Sequence, residues 1–251
     1  MWQFLNEGLY PYLCELFRTT TTRSATLLFF ACVAVAGVVA YLLGSINSAV
    51  LISRVFFRDD VRRHGSGNAG TTNMLRTYGV GAAVGTLLGD ILKTVLAILF
   101  AFVMTGAGWK NGFALELASM GAYVAALGCV MGHIFPLYHK FRGGKGVLCA
   151  ATAIGMLSPW VLLVLLLVFI VTVAVTKYVS LGSCLTAAIY PIFLPSLIRA
   201  ICGAYPMGHI TVISLLLAAL IVYMHRENIK RLRAGEESRI SFSHKPKGED
   251  E

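Results

Sequence analysis

Apolar positions in this chain gather into long blocks separated by short polar stretches. The first block, 25–57, is long enough for one tilted membrane helix. Others follow at about 80–104 and 115–138. After Gly146 the apolar pattern runs to Leu157, breaks at Ser158-Pro159 and resumes from Trp160 to Thr176. As one helix, Val147 to Thr176 would measure about 45 Å against a hydrocarbon core of roughly 30 Å, so two segments with a tight turn are favoured over one kinked helix. Blocks at 183–202 and 208–225 bring the total to seven. The expected fold class is all-α: an integral membrane protein with about seven transmembrane helices.

Residues 1–24 mix apolar side chains (Trp2, Phe4, Leu5, Leu9, Tyr10) with polar ones, and Pro11 interrupts them. No short apolar core leads to a small-residue cleavage site, so a cleaved signal is not expected. An extension lying in the membrane interface is. The membrane catalytic domain is expected over 25–236, with a charged tail over 237–251 that ends Gly248-Glu249-Asp250-Glu251.

Composition agrees with a bilayer. The 251 residues are 57% hydrophobic and 13% charged, with mean hydropathy +0.74, whereas a soluble domain carries about 25% charged residues. The cysteines at 14, 32, 129, 149, 184 and 202 are scattered without a C-x-x-C pair, which predicts neither a disulfide framework nor a metal site.

Net charge is +9, and its distribution sets topology. With seven spans, Arg54, Arg58, Arg62, Arg63, Arg76, Lys140, Arg142, Lys145, Lys177 and the basic residues after Tyr223 fall on one face. The other face has Arg18, Arg23, Lys110 and Arg199. By the positive-inside rule the N-terminus is outside and the C-terminus cytoplasmic. Topology and anionic lipid headgroups account for the basic excess, so no nucleic-acid partner is expected.

Every glycine-rich polar stretch then falls on the cytoplasmic face. The first is His64-Gly65-Ser66-Gly67-Asn68-Ala69-Gly70-Thr71-Thr72-Asn73-Met74-Leu75-Arg76. Glycines let backbone N–H groups turn inward, and hydroxyls and amides add donors, a set that suits phosphate. A plain polar turn has the same composition. The second runs from Gly132-His133 to Gly143-Gly144-Lys145-Gly146, directly ahead of a predicted helix whose N-terminus would attract an anion. It lacks the spacing of a Walker loop, so nucleotide hydrolysis is not implied. The third, Lys177 to Ser183, reads as a turn between spans with a snorkelling lysine. In the fourth, His225 to Leu232, His225 and Asn228 are three apart and share a helical face. Asp90 and Lys93, also three apart, sit within the second block. They read first as a mutually paired buttress and second as a proton relay. There is no carboxylate dyad, no H-x-x-x-x-D and no G-x-S-x-G elbow. Two anion sites on one face suit a transfer between two phosphorylated molecules; a transporter of a phosphorylated small molecule is the alternative, weakened by the absence of an inverted repeat.

Together these stretches, with Gly44-Ser45-Ile46-Asn47-Ser48-Ala49, Gly89 to Lys93 and Tyr178-Val179-Ser180, resemble the bacterial acyl-phosphate:glycerol-3-phosphate acyltransferase family (PlsY type) over roughly 38–236. The resemblance implies a seven-span enzyme of the bacterial cytoplasmic (inner) membrane, its active site facing the cytoplasm. It would move a fatty acyl group from acyl phosphate to the sn-1 hydroxyl of glycerol 3-phosphate, giving lysophosphatidic acid and phosphate, the first step of phospholipid biosynthesis. No cofactor or metal is implied. Its partners would be the two substrates, membrane lipids and the upstream acyl-phosphate-forming enzyme. By motif, Ser66, Lys145, His225 and Asn228 are the catalytic candidates. Gly65, Gly67, Asn68, Gly70, Thr71, Thr72, Asn73, Arg76, Gly143, Gly144, Gly146 and Ser180 are the phosphate- and substrate-binding candidates. The general base is left between His225 and the substrate's own phosphate. The N-terminal extension and the acidic end depart from the family pattern.

Overall fold

The computed structural model describes residues 8–18, 21–106, 112–202 and 208–240. The described residues form helices joined by turns, with no strand among them. A chain this apolar has little choice, because in lipid every backbone N–H and C=O must be satisfied within its own segment.

Helix α1 (Leu9–Leu16) carries Pro11 in its first turn, where the missing N–H costs nothing. It packs on the bundle through Leu9, Tyr10 and Leu13, with Tyr10 edge-on to Phe29 at 5.5 Å. The rest of the extension as far as residue 7 lies outside the described residues.

Helix α2 (Thr22–Gly44) starts at a side-chain cap, the Thr21 hydroxyl accepting the N–H of Ser24. The single helix expected over 25–57 does not form: α2 ends at Gly44 and α3 (Ser48–Phe57) starts after Asn47. Two side chains make the break. The Asn47 amide oxygen accepts the N–H of Val50 as an N-cap, and the Ser45 hydroxyl turns back to the Tyr41 carbonyl. Close packing demands the glycine, since a Cβ at Gly44 would run into the backbone of Cys129.

Helix α4 (Thr71–Tyr78) follows the first glycine-rich loop and leads through Gly79 into α5 (Val80–Thr105). Helix α6 (Gly112–Ile134) packs along α2 and α5. Small residues let α2 and α6 approach: a Cβ on Gly132 would strike the Tyr41 carbonyl. The apolar stretch beyond Gly146 forms two helices, as expected: α7 (Val147–Leu157) and α8 (Pro159–Thr176), with Pro159 opening α8. Helix α9 (Val179–Cys202) begins inside the predicted 177–183 turn, so Ser180 stands in its first turn. Helices α10 (Gly208–Met224) and α11 (Arg226–Ala234) are bent by 53° at His225.

Among the described residues, five stretches are long and apolar enough to cross a membrane, counting α2 with α3 as one, and six if α10 and α11 form one bent crossing. Helix α7, the remaining predicted span, has eleven residues where a straight crossing takes about twenty. Much of α8 faces outward with apolar side chains, including Leu163, Leu167, Ile170 and Val175, a surface suited to lipid. The buried core joins α6 to α10 in one cluster and α2, α5 and α6 in another. A third cluster, Ala49, Val50, Val61, Ala69 and Met74 with Ala82 and Ala83, anchors the first glycine-rich loop.

Candidate functional site

The first wall of the site is the loop before α4. Gly65 (φ +54°) and Gly67 (φ +70°) adopt left-handed backbone that side chains disfavour. Asn73 ties the loop down from within the first turn of α4. Its amide oxygen accepts the N–H of Ser66 at 3.0 Å, and its NH2 donates to the carbonyls of Val61 (3.1 Å) and His64 (3.0 Å). Gly70 opens α4 without any side-chain cap, leaving the first helical N–H groups available.

The second wall is the loop before α7. Gly146 (φ +80°) turns the chain into α7, which also has no side-chain cap. Gly143 and Gly144 close the end of α6. Their N–H groups donate to the Ile134 and His133 carbonyls, both at 3.1 Å. They are bare of side chains because a Cβ on either would collide with His133. Arg62 locks the two loops together at the surface. It pairs with Asp60 at 2.6 Å and reaches the carbonyls of His139 (3.0 Å) and Arg142 (2.9 Å). The Arg62 guanidinium holds the Asp60 carboxyl well below the usual carboxylate range.

The third wall comes from the end of the described chain. Lys145 donates to the Asn228 side-chain oxygen, and the Asn228 NH2 donates to Glu237 at 2.6 Å. Glu237 also accepts from the Ser180 hydroxyl (2.8 Å) and from Arg231 Nε (2.8 Å). Burial alone would raise the Glu237 carboxyl, but the hydrogen bonds from Asn228, Ser180 and Arg231 outweigh it and hold it below its ordinary value. Burial lowers the Lys145 ammonium to about 8; the charge of Glu237 opposes this, while Arg231 and Arg76 reinforce it. His225 Nδ1 lies 2.8 Å from the Ile221 carbonyl. A carbonyl only accepts, so the ring proton is on Nδ1 and Nε2 keeps a lone pair.

These walls enclose one cavity of about 510 Å³. Of the sequence candidates, Ser66, Asn68, Gly70, Thr71, Thr72, Asn73, Arg76, Lys145, Gly146, Ser180, His225 and Asn228 line it. Gly65, Gly67, Gly143 and Gly144 shape its loops from behind. Ser66 and Arg76 stand at the exposed rim. Away from the charged mouth the cavity continues between α7, α8, α9 and α10, lined by residues such as Ile154, Leu165, Ala187 and Leu217. It therefore has a polar, charged end and an oily arm.

The sequence reading missed Glu237 and Arg231. Glu237 was assigned to a tail after residue 236, yet its side chain is 7% exposed and sits among the site residues. The available signal was Gly235, whose left-handed backbone (φ +74°) ends α11 and turns the chain back. Asp90 and Lys93 do pair, at 2.9 Å, and His133 joins them. Asp90, His133 and Cys149 offer ligand atoms within 4.8 Å of one another, a spacing that suits a metal. The positive charge there is already supplied by the Lys93 ammonium, 2.9 Å from both Asp90 and His133.

The family model for glycerol-3-phosphate acyltransferase matches residues 34–235. The chain is 42% identical to the glycerol-3-phosphate acyltransferase of Syntrophomonas wolfei over 81% of its length and 95% of that protein. It is 40% identical to the enzyme of that name from Clostridioides difficile, covering 81% and 93%. Among solved structures, it resembles the glycerol 3-phosphate form of PlsY, an integral membrane glycerol 3-phosphate acyltransferase. There the TM-score is 0.68 and the identity 32%, over 83% of this chain and 96% of that one. The lysophosphatidic acid form of the same protein gives 0.66 and 32%, covering 83% and 95%. Both glycine-rich loops of the cavity fall within the matched region, and this chain belongs to the glycerol-3-phosphate acyltransferase family.

Proposed function

We infer that this chain transfers a fatty acyl group from acyl phosphate to the sn-1 hydroxyl of glycerol 3-phosphate, giving 1-acyl-glycerol 3-phosphate and inorganic phosphate. One observation carries the reading. Two helix N-termini without side-chain caps, at Thr71 and Val147, meet Lys145 in a cavity that continues as an apolar arm. Helix N-termini and an ammonium suit phosphate, and the oily arm suits a fatty tail.

In this reading Ser66 and the free N–H groups at the start of α4 hold a phosphate and the developing oxyanion. Lys145 and Arg76 neutralise phosphate charge. Asn228 and Ser180 orient glycerol 3-phosphate, and His225 Nε2 accepts a hydrogen bond from its hydroxyl. The hydroxyl oxygen bonds to the acyl carbon, the acyl–phosphate C–O bond breaks, and the hydroxyl proton ends on the released phosphate. An acyl phosphate is already activated, so positioning and charge neutralisation supply the catalysis. The topology is seven spans in the bacterial inner membrane, N-terminus outside and active site toward the cytoplasm, with α7 as a short fourth crossing. The enzyme that forms acyl phosphate is the partner expected to deliver the donor.

The test is the purified protein with labelled glycerol 3-phosphate and, in parallel, acyl phosphate, acyl-CoA and acyl carrier protein donors. Lysophosphatidate from acyl phosphate alone is the expected result. Product only from acyl-CoA would replace the donor, and uptake into proteoliposomes without acylation would replace the reaction.

A further inference from the structure

At the inner wall of the cavity, whose lining includes Asp90 and His133, the structure buries three ionisable side chains, Asp90, Lys93 and His133, with side-chain exposures of 2%, 5% and 5%. Buried charges of this kind give little net stability, because desolvation cancels most of their attraction, and apolar replacements often do as well. Their surroundings indicate what they are for.

Lys93 Nζ has donors only. It stands 3.1 Å from the Gly44 carbonyl, 2.9 Å from that of Ile46, and 2.9 Å from His133 Nδ1. The carbonyls belong to the end of α2 and the break after it, where helical partners are lost. With Asp90 also at 2.9 Å, the three ammonium protons serve a cage of four acceptor positions, one of them His133 Nδ1. Asp90 neutralises the lysine and accepts the Ser48 hydroxyl at 2.9 Å, drawing in the start of α3.

His133 Nε2 lies against Gly144, where the second glycine-rich loop approaches the first. A Cβ built on Gly144 would collide with Nε2 and come 2.8 Å from the Ala69 carbonyl oxygen. The imidazole edge, the Gly144 Cα and the first loop thus meet at one point. Gly144 precedes Lys145, and Ala69 precedes the N-cap of α4.

We propose that Asp90, Lys93 and His133 form a positioning device that sets loop 65–73 and loop 143–146 in register, so that the N-terminus of α4 and Lys145 face the same substrate. Lys93 holds the imidazole ring and anchors it to the end of α2; the imidazole edge, fitted to a bare Gly144, sets the spacing between the loops. The three are positioning residues, acting through Gly144 and Ala69. The role rests on the acyltransferase reading, and it adds why these charges are kept in the membrane domain.

The test is a size exchange in the full-length protein. His133→Asn keeps an acceptor oxygen for Lys93 but is too short to reach Gly144. Gly144→Ala puts a methyl group where Nε2 stands. The measurements are kcat and KM for glycerol 3-phosphate, thermal unfolding in detergent, and protection against unfolding by inorganic phosphate. Each single variant is expected to lose ~100-fold in kcat/KM, the size of an ångström-scale misplacement, with its unfolding midpoint close to that of the wild type. The double variant is expected to regain ~10-fold over Gly144→Ala alone, because the two changes share one contact. Additive losses, near-normal turnover in His133→Asn, or losses that simply follow the unfolded fraction would overturn the proposal. Phosphate protection separates the two readings. If the wild type makes no lysophosphatidate, the acyltransferase reading fails. The same pattern of loss and recovery must then appear in phosphate protection, or the positioning role fails as well.

Discussion

Lys145 donates its ammonium proton to the side-chain oxygen of Asn228, joining the loop ahead of α7 to the helix that closes the bundle 83 residues later. This bond brings the second and fourth polar stretches into one site. The Asn228 NH2 carries the link on to Glu237, and Glu237 to Ser180 and Arg231. Removing the ammonium should therefore do more than lower affinity. Lys145→Ala is expected to lose at least ~100-fold in kcat, the size seen when a preorganised charge is removed. Ser66→Ala should lose a comparable factor if its hydroxyl faces the reacting group. Steady-state assays in detergent with acyl phosphate as donor check both.

The same lysine sets a pH limit. Its folded pKa of about 8 means that the ammonium is lost as pH rises through that value. The charged groups around it are Glu237, Arg231 and Arg76. Turnover should fall on the alkaline side with a midpoint near pH 8. Stability should move the other way. Between about 8 and the ordinary lysine value near 10.4 the unfolded chain binds the extra proton, so this group makes folding more favourable as pH rises. A kcat–pH profile recorded beside unfolding midpoints distinguishes the two effects. An activity loss that only tracks unfolding would remove Lys145 as its cause.

Asn73 makes a prediction whose order is informative. Its oxygen takes the Ser66 N–H and its nitrogen serves the Val61 and His64 carbonyls. Asn73→Ala should destabilise by about 1–3 kcal/mol, as buried donors and acceptors lose partners. Asn73→Asp should be worse than alanine, because it turns a carboxylate oxygen toward two carbonyls. Unfolding midpoints of the two variants give the order directly.

Glu237 lies beyond the region matched by the family model, which ends at residue 235, yet it holds three site side chains. Glu237→Ala should leave Arg231 without its buried partner and let Asn228 turn away from Lys145. The expected result is about 1–3 kcal/mol of lost stability and a fall in kcat. Truncation after Gly235 should reproduce it. A truncated protein with full turnover would show that the carboxylate is dispensable.

Arg62→Lys tests the surface lock between the loops. Lysine keeps the charge but cannot fork to Asp60 while reaching the His139 and Arg142 carbonyls. Loosening of the rim should appear as faster proteolysis in 139–146, with KM raised more than kcat is lowered.

How much of this was legible beforehand varies from residue to residue. Lys145, His225 and Asn228 stood out locally, as a lysine between glycines ahead of a helix and two polar side chains one turn apart. It was the family resemblance that named them as a set; the structure brings them to one cavity. The break at Ser158-Pro159 was legible because proline opens a helix and a single one would be too long. The break at Ser45–Asn47 was not. It depends on Asn47 capping α3 and on α6 pressing against Gly44, and that packing partner lies far along the chain. Gly143 and Gly144 were binding candidates by motif; the end of α6 takes their N–H groups.

By itself the sequence determined an all-helical membrane chain and most of the polar groups that meet in its cavity. Apolar block length and glycine-rich loops are properties of neighbouring residues, and elementary chemistry reads them directly. Only the tertiary structure decided that Glu237 belongs to the site and that His133 and Ala69 both lie against Gly144. The physical reason is distance along the chain. A hydrogen bond or a close contact between remote residues leaves no local pattern and exists only once the helices have packed.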